Sequence, residues 1–248
     1  MSITSEPHVP RPTGHALATV GAIAGAIGPL LFAAGFIVQG LARRGEYDPV
    51  AEPVSALEAG PNGWLQQVNF IVFGLLMMIF ASGLRAGVRR ARGRILGPAI
   101  VAWWGVGLVL AGVLPLREDA TGRTYDATGL HQINGSQFFL SVWLGLGLLS
   151  WWLHRDPEWR GFARYAAITA GALMPLFFVM GLLAMPESGP LHTWAGACQR
   201  VVLAIWFPCL VVLAARLWWV SRLRPQLLLD GLPAVRGEAT GVSRGLRS

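Results

Sequence analysis

Six apolar stretches, near residues 16–42, 64–84, 95–115, 132–153, 162–185 and 192–220, constrain this 248-residue chain more than any other feature. Each is long enough to cross a hydrocarbon core of about 30 Å, which takes ~20 helical residues at ~1.5 Å of rise each. A bilayer offers the backbone no water, so only helices or a closed barrel can span it, and these continuous runs lack the alternation that barrel strands need. The pattern therefore predicts an all-α, polytopic membrane protein: a six-transmembrane-helix bundle over residues 16–220. Hydrophobic residues make up 54% of the chain and charged residues 13%, about half the charged share of a soluble domain. Residues 1–15 and the Arg-rich residues 221–248 read as flexible polar tails.

The net charge of +7 is no nucleic-acid signal, because of where the charge lies. All 20 basic residues are arginines. Arg85, Arg89, Arg90, Arg92 and Arg94 crowd the second loop, Arg155, Arg160 and Arg164 flank the fourth, and six more run from Arg216 onward. With Arg11 that places 15 on one side, against Arg43, Arg44, Arg117 and Arg123 on the other and Arg200 inside the sixth segment. Arginine retained on one side is the positive-inside pattern, which predicts cytoplasmic termini in a plasma membrane, with some attraction to anionic headgroups. The first segment, preceded by a single arginine, is too long for a signal-peptide core and reads as a retained anchor. Cys198 and Cys209 lie roughly 16 Å apart along one helix, too far for a disulfide, and read as packing residues.

Small residues supply the packing. Gly21 and Gly25, Gly105 and Gly112, and Gly145 are placed to let helices approach closely where dispersion replaces the hydrophobic effect. Pro29, Pro175 and Pro208 each remove a backbone donor inside a helix and predict bends. A broken-helix transport site would use the same residues, but the two halves of the chain share no internal repeat.

The polar content gathers on the outer side. Eight of the 13 acidic residues fall in its loops: Glu46, Asp48, Glu52 and Glu58 in the first, Glu118, Asp119 and Asp126 in the third, and Glu187 in the fifth. Polar side chains continue into the helix ends. His131, Asn134, Gln137 and Ser141 share about 120° of the fourth helix, and His192, Gly196 and Gln199 align within roughly 60° of the sixth. Gln39, Gln66, Gln67 and Asn69 stand at the same level. Lipid rejects such groups, so they are expected to face one another across a polar pocket that opens outward.

Each residue also has a structural reading. Ser55 and Glu58 form S-x-x-E, a capping box for a short interfacial helix. Asp126 and Thr128 are placed to cap the fourth helix. His131 and His192 stand at helix N-termini, where the dipole favours a neutral ring able to hydrogen-bond or to ligate a divalent metal; no H-x-x-x-H or C-x-x-C spacing accompanies them. Arg200 lies about 12 Å deep if its helix starts at His192, where an unpaired charge costs ~2.5–3.5 kcal/mol. It is expected to snorkel, to pair with Glu52, Glu58 or Asp126, or to hold a lipid phosphate.

The stretch E-P-V-S-A-L-E-A-G-P-N-G-W at residues 52–64, Asn69, G-L-H at 129–131 and H-T-W-A-G-A-C-Q-R at 192–200 resemble the prokaryotic membrane family known as domain of unknown function 998 (DUF998). The resemblance covers roughly residues 16–216. The chain reads S-A-L-E where many members read S-D-L-G, so no acid stands directly after that serine. The resemblance implies six helices and a prokaryotic membrane, and no activity.

Three function classes follow. The first is a protein without catalysis that binds a lipid, a small amphiphile or a partner membrane protein in the outward pocket, through Ser55, Asn69, His131, Asn134, His192, Gln199 and Arg200, with no cofactor. The second is a membrane-embedded lipid hydrolase or transferase, in which His131 and His192 with a carboxylate such as Glu52 or Asp126 hold a divalent metal or act as general base. The third is a small transporter, which the missing repeat and the lack of mid-membrane acids disfavour.

Overall fold

The computed structural model describes residues 13–88 and 93–230, with side chains for 14–88 and 95–222. Most of the first tail, three of the five second-loop arginines (Arg89, Arg90 and Arg92) and the last 18 residues therefore lie outside the described residues. Six helices carry the fold: α1 (Thr13–Ala42), α2 (Trp64–Gly87), α3 (Gly93–Val113), α4 (Leu130–Leu153), α5 (Arg160–Phe178) and α6 (Ala195–Asp230). Each is long and apolar enough to cross a membrane, and the chain is a multi-pass membrane protein. Large apolar side chains such as Ile168, Leu182, Ile95 and Ile133 stay exposed on the bundle's flanks, which is where a helix meets lipid.

Each helix packs on its sequence neighbour and α6 closes onto α1, so the six form a ring, with α2 reaching α6 across it. Short connections make neighbours antiparallel. One end of the ring therefore collects loops one, three and five, here called the acidic end, and the opposite basic end collects loops two and four. At the ring's centre Trp206 of α6 meets Trp104 of α3, Phe138 of α4 and Phe73 of α2 at centroid distances of 5.8, 5.5 and 6.1 Å.

The glycines act as expected at the tightest crossings. A Cβ on Gly21 of α1 would fall 2.5 Å from the Cα of Gly83 on α2, and one on Gly105 of α3 would fall 2.7 Å from the carbonyl oxygen of Gly74 on α2. The first three helices thus touch backbone to backbone.

Three elements depart from the expected spans. Helix α5 widens into a π-helical turn, Val179–Ala184, closed by a bond of 2.8 Å from Met185 N–H to Met180 O; such turns are rare and recur at functional sites. Helix α6 begins at Ala195, after a 3₁₀ turn His192–Trp194, and continues to Asp230 rather than ending near 220. Arg200 therefore lies only about 8 Å along its helix. Loop three carries a small hairpin, β1 (Arg117–Glu118) paired with β2 (Thr124–Tyr125).

Candidate functional site

Loop one is the framework of the acidic end. It folds a 3₁₀ turn, Val54–Glu58, and lays residues 49–54 against the start of α6. The first N–H groups of a helix lack partners within it, and here loop one supplies them. Gly196 N–H donates to Ala51 O at 3.2 Å and Ala197 N–H to Val50 O at 2.9 Å. In return Gln199 Oε1 accepts Val54 N–H at 2.6 Å. Only glycine fits at 196, since a Cβ there would sit 2.2 Å from Glu52 O and 2.6 Å from Pro49 O.

Arg200 completes this latch. Its guanidinium donates to Glu52 O and Gly196 O, both at 3.0 Å, and to the Tyr47 hydroxyl, and lies 5.6 Å from the Tyr47 ring and 5.7 Å from that of Phe36. Tyr47, itself buried, has its hydroxyl 3.1 Å from both Glu52 O and Pro53 O. The expected carboxylate partner is absent among the described residues: the charge is spread over carbonyls, a phenol and two ring faces instead. Two motif stretches about 140 residues apart are in effect one interlocked unit.

Beside the latch lies a cleft of about 1210 Å³ inside the ring at its acidic end, above the roughly 300–1,000 Å³ usual for small-molecule sites. Its upper walls present Ser55, Glu52, Asp126, His131, Asn134, His192 and Gln199. Its floor is Phe73, Phe138, Leu203 and Trp206. Of the expected ligand-binding residues, Asn69 and Arg200 are not in this lining. Asn69 Nδ2 donates to Phe32 O and to Gln66 Oε1, both at 3.1 Å, while Gln39 Nε2 donates to Gln66 Oε1 at 2.9 Å. These amides stitch α1 to α2 rather than facing a pocket, as polar side chains between membrane helices often do.

The polar stripe of α4 is divided in the same way. Asn134 Nδ2 donates to Gly107 O at 2.8 Å, Gln137 Nε2 to Asn134 Oδ1 at 3.0 Å, and Trp103 Nε1 to Gln137 Oε1 at 3.0 Å, which ties α4 to α3. Asp126 is a cap: Gly129 N–H and Gln132 N–H donate to it at 2.9 Å each, and Thr128 N–H at 3.2 Å. Burial works to raise the Asp126 carboxyl, but these backbone donors outweigh it and hold the group below the usual carboxylate range.

Glu58 is the residue that sequence reasoning assigned otherwise. The S-x-x-E box does not form; the 3₁₀ turn starts at Pro53 without a side-chain cap. The Glu58 side chain turns inward, wholly enclosed, where Oε2 accepts Leu116 N–H at 3.2 Å and lies 3.4 Å from His131 Nδ1. Burial pushes its carboxyl up to about 8, against the pull of the Leu116 N–H. Glu52, also partly buried, is raised as well, by desolvation first. His131 Nδ1 donates to Leu114 O at 2.8 Å, and His192 Nδ1 donates to Ala184 O at 3.2 Å. Both histidines line the cleft, each with one nitrogen bonded to a carbonyl. Among the described residues no group of three or more His, Cys, Asp or Glu stands close enough to hold a metal ion.

Residues 26–218 match a protein family described as "Protein of unknown function (DUF998)", and the match spans all the motifs that carry the resemblance above. Neither the curated proteins nor the solved structures include a match to this chain.

Proposed function

The chain belongs to the DUF998 family, and we propose that it binds a lipid or other small amphiphile in the cleft at the acidic end of its bundle. One observation carries this reading: a single cavity runs from a polar, hydrogen-bonding mouth at His131, Asn134, His192 and Gln199 down to an aromatic floor at Phe73, Phe138 and Trp206. An amphiphile has the same gradient. Its headgroup is held at the mouth and its chain removes apolar surface from water at about 25 cal/mol per Å². The acidic end faces outward across the plasma membrane, on the strength of the arginine bias. At the basic end the guanidinium of Arg155 lies 5.1 Å from the Trp151 ring and that of Arg222 4.0 Å from the Trp218 ring, a pairing suited to the headgroup layer.

Gly181 lines the cleft and has open space where a Cβ would go. Gly181→Trp should place an indole in the cleft and obstruct it without touching the latch. Native mass spectrometry of the detergent-purified protein should show bound lipid in the wild type and little in the variant. Equal retention by both would remove the cleft as the binding site.

A second reading, a lipid hydrolase or transferase, is favoured by one contact, the Glu58 carboxyl beside His131, which orients an imidazole for general-base work. Fatty acid release from phospholipid vesicles, lost in His131→Asn, is its test.

A further inference from the structure

Glu58 occupies a position that packing alone does not account for. Its side chain has no exposure, yet Oε1 has no hydrogen-bond partner. A hydrophobic residue of similar size would fill the space without burying an ionisable group. What the carboxyl does have is an imidazole. We propose that Glu58 and His131 form a proton-binding site in the wall of the cleft, holding one exchangeable proton whose occupancy is linked to occupancy of the cleft by an amphiphile.

The geometry supplies the link. The pair joins three elements around the cleft: Glu58 from loop one, Leu116 N–H and Leu114 O from the exit of α3, and His131 from the first turn of α4. Glu58 is sealed from solvent, whereas His131 lines the cleft, so the pair meets water only through the space a ligand would fill. An amphiphile seated over His131 displaces that water and disfavours the ionised carboxylate, so the pair keeps its proton more tightly when the cleft is full. Binding therefore takes up a proton, and by reciprocity acid tightens binding.

Other charges nearby set the background. Just past the end of α1, Arg43 donates to Leu57 O and Ala59 O on either side of Glu58. Asp126 of loop three brings a negative charge near His131. Glu118 approaches Gly60 on the far side of the 3₁₀ turn, and Arg123, Glu187 and His192 stand at the cleft mouth. Among the described residues the one ionisable group within ion-pair distance of Glu58 is His131.

This inference rests on the amphiphile reading, and its test separates the two. The probe is a fluorescent lysophosphatidylcholine, whose headgroup does not titrate between pH 6 and 9, bound to the full-length protein in non-ionic detergent. Affinity should rise as pH falls, by up to about tenfold per unit where one proton is taken up, and calorimetry in two buffers should show uptake approaching one proton per probe. Glu58→Gln should bind with the low-pH affinity at every pH; His154→Gln, which removes a histidine just past α4 at the basic end, should keep the wild-type slope. A flat wild-type profile, a slope surviving in Glu58→Gln, or one lost in His154→Gln would each overturn the site. Should the probe bind at no pH, the amphiphile reading fails. The proton site then stands or falls on thermal unfolding of the ligand-free protein, whose pH dependence Glu58→Gln must flatten.

Discussion

The two walls of the cleft are built on opposite terms. The wall made by loop one and α6 is closed: helix N–H groups, carbonyls, Gln199, Arg200 and Tyr47 all answer one another, and Gly196 has no room for a methyl group. The wall made by α4 and α5 is open. Gly135 and Gly181 line the cleft with nothing within 4 Å of where a Cβ would be, and an exposed Arg123–Glu187 pair links loops three and five above them. A charge such as Arg200 that is spread over a closed network is a fixed part of the frame. Glycines facing space, next to a π turn, leave room for something to enter. The motif most chemical in appearance, around Gln199 and Arg200, is thus part of a closed frame, and the less conspicuous wall is the one that leaves open space.

This contrast meets its severest test at Gly196. Gly196→Ala must push loop one off α6, an overpacking cost of about 3 kcal/mol, seen as the largest loss of thermal stability in detergent. Arg200→Gln removes a donor from three acceptors at once and should cost about 2–3 kcal/mol. Should either behave like an exposed substitution, the latch is not the frame.

Glu58 gives a pH-dependent effect with a defined sign. Its carboxyl is raised in the folded protein from 4.5 to about 8. A raised acid stabilises fully below its unfolded value, and that contribution is lost as pH climbs through the folded one. Stability should therefore fall between about pH 4.5 and pH 8 by up to ~1.4 kcal/mol per unit. Glu58→Gln, which mimics the protonated acid, should match the wild type near pH 5 and exceed it at pH 8 in a thermal unfolding series.

The open wall should give the smallest effects. Gly181→Ala meets nothing and should be neutral or stabilising by about 0.5–1 kcal/mol through helix propensity. Arg123→Gln, in an exposed pair, should cost ~0–1 kcal/mol. A large loss at either would show that this wall is packed as tightly as the other.

The candidate site was legible in the sequence only in part. His131, Asn134, His192 and Gln199 were placed at one level by helical periodicity, and the structure sets all four in the cleft lining. Asn69 and Arg200 satisfied the same criterion and pack elsewhere, because periodicity gives a residue's height and face but not which neighbour lies on that face. Glu58 was hidden by a local motif: S-x-x-E describes a cap, and only the approach of Leu116 and His131 turns the carboxyl inward.

The membrane, the six spans, the family and the close helix crossings at Gly21 and Gly105 all follow from the order of residues alone. Each depends on quantities local to the chain: the length of an apolar run, the absence of a side chain, the order of short motifs. Three other features exist only once the chain is folded: loop one capping α6, Arg200 answering carbonyls rather than carboxylates, and Glu58 meeting His131 beside an open cleft. Those pairings join residues 73 to 148 positions apart. Burial and hydrogen bonding between them are set by the closing of the helix ring, which no local pattern records.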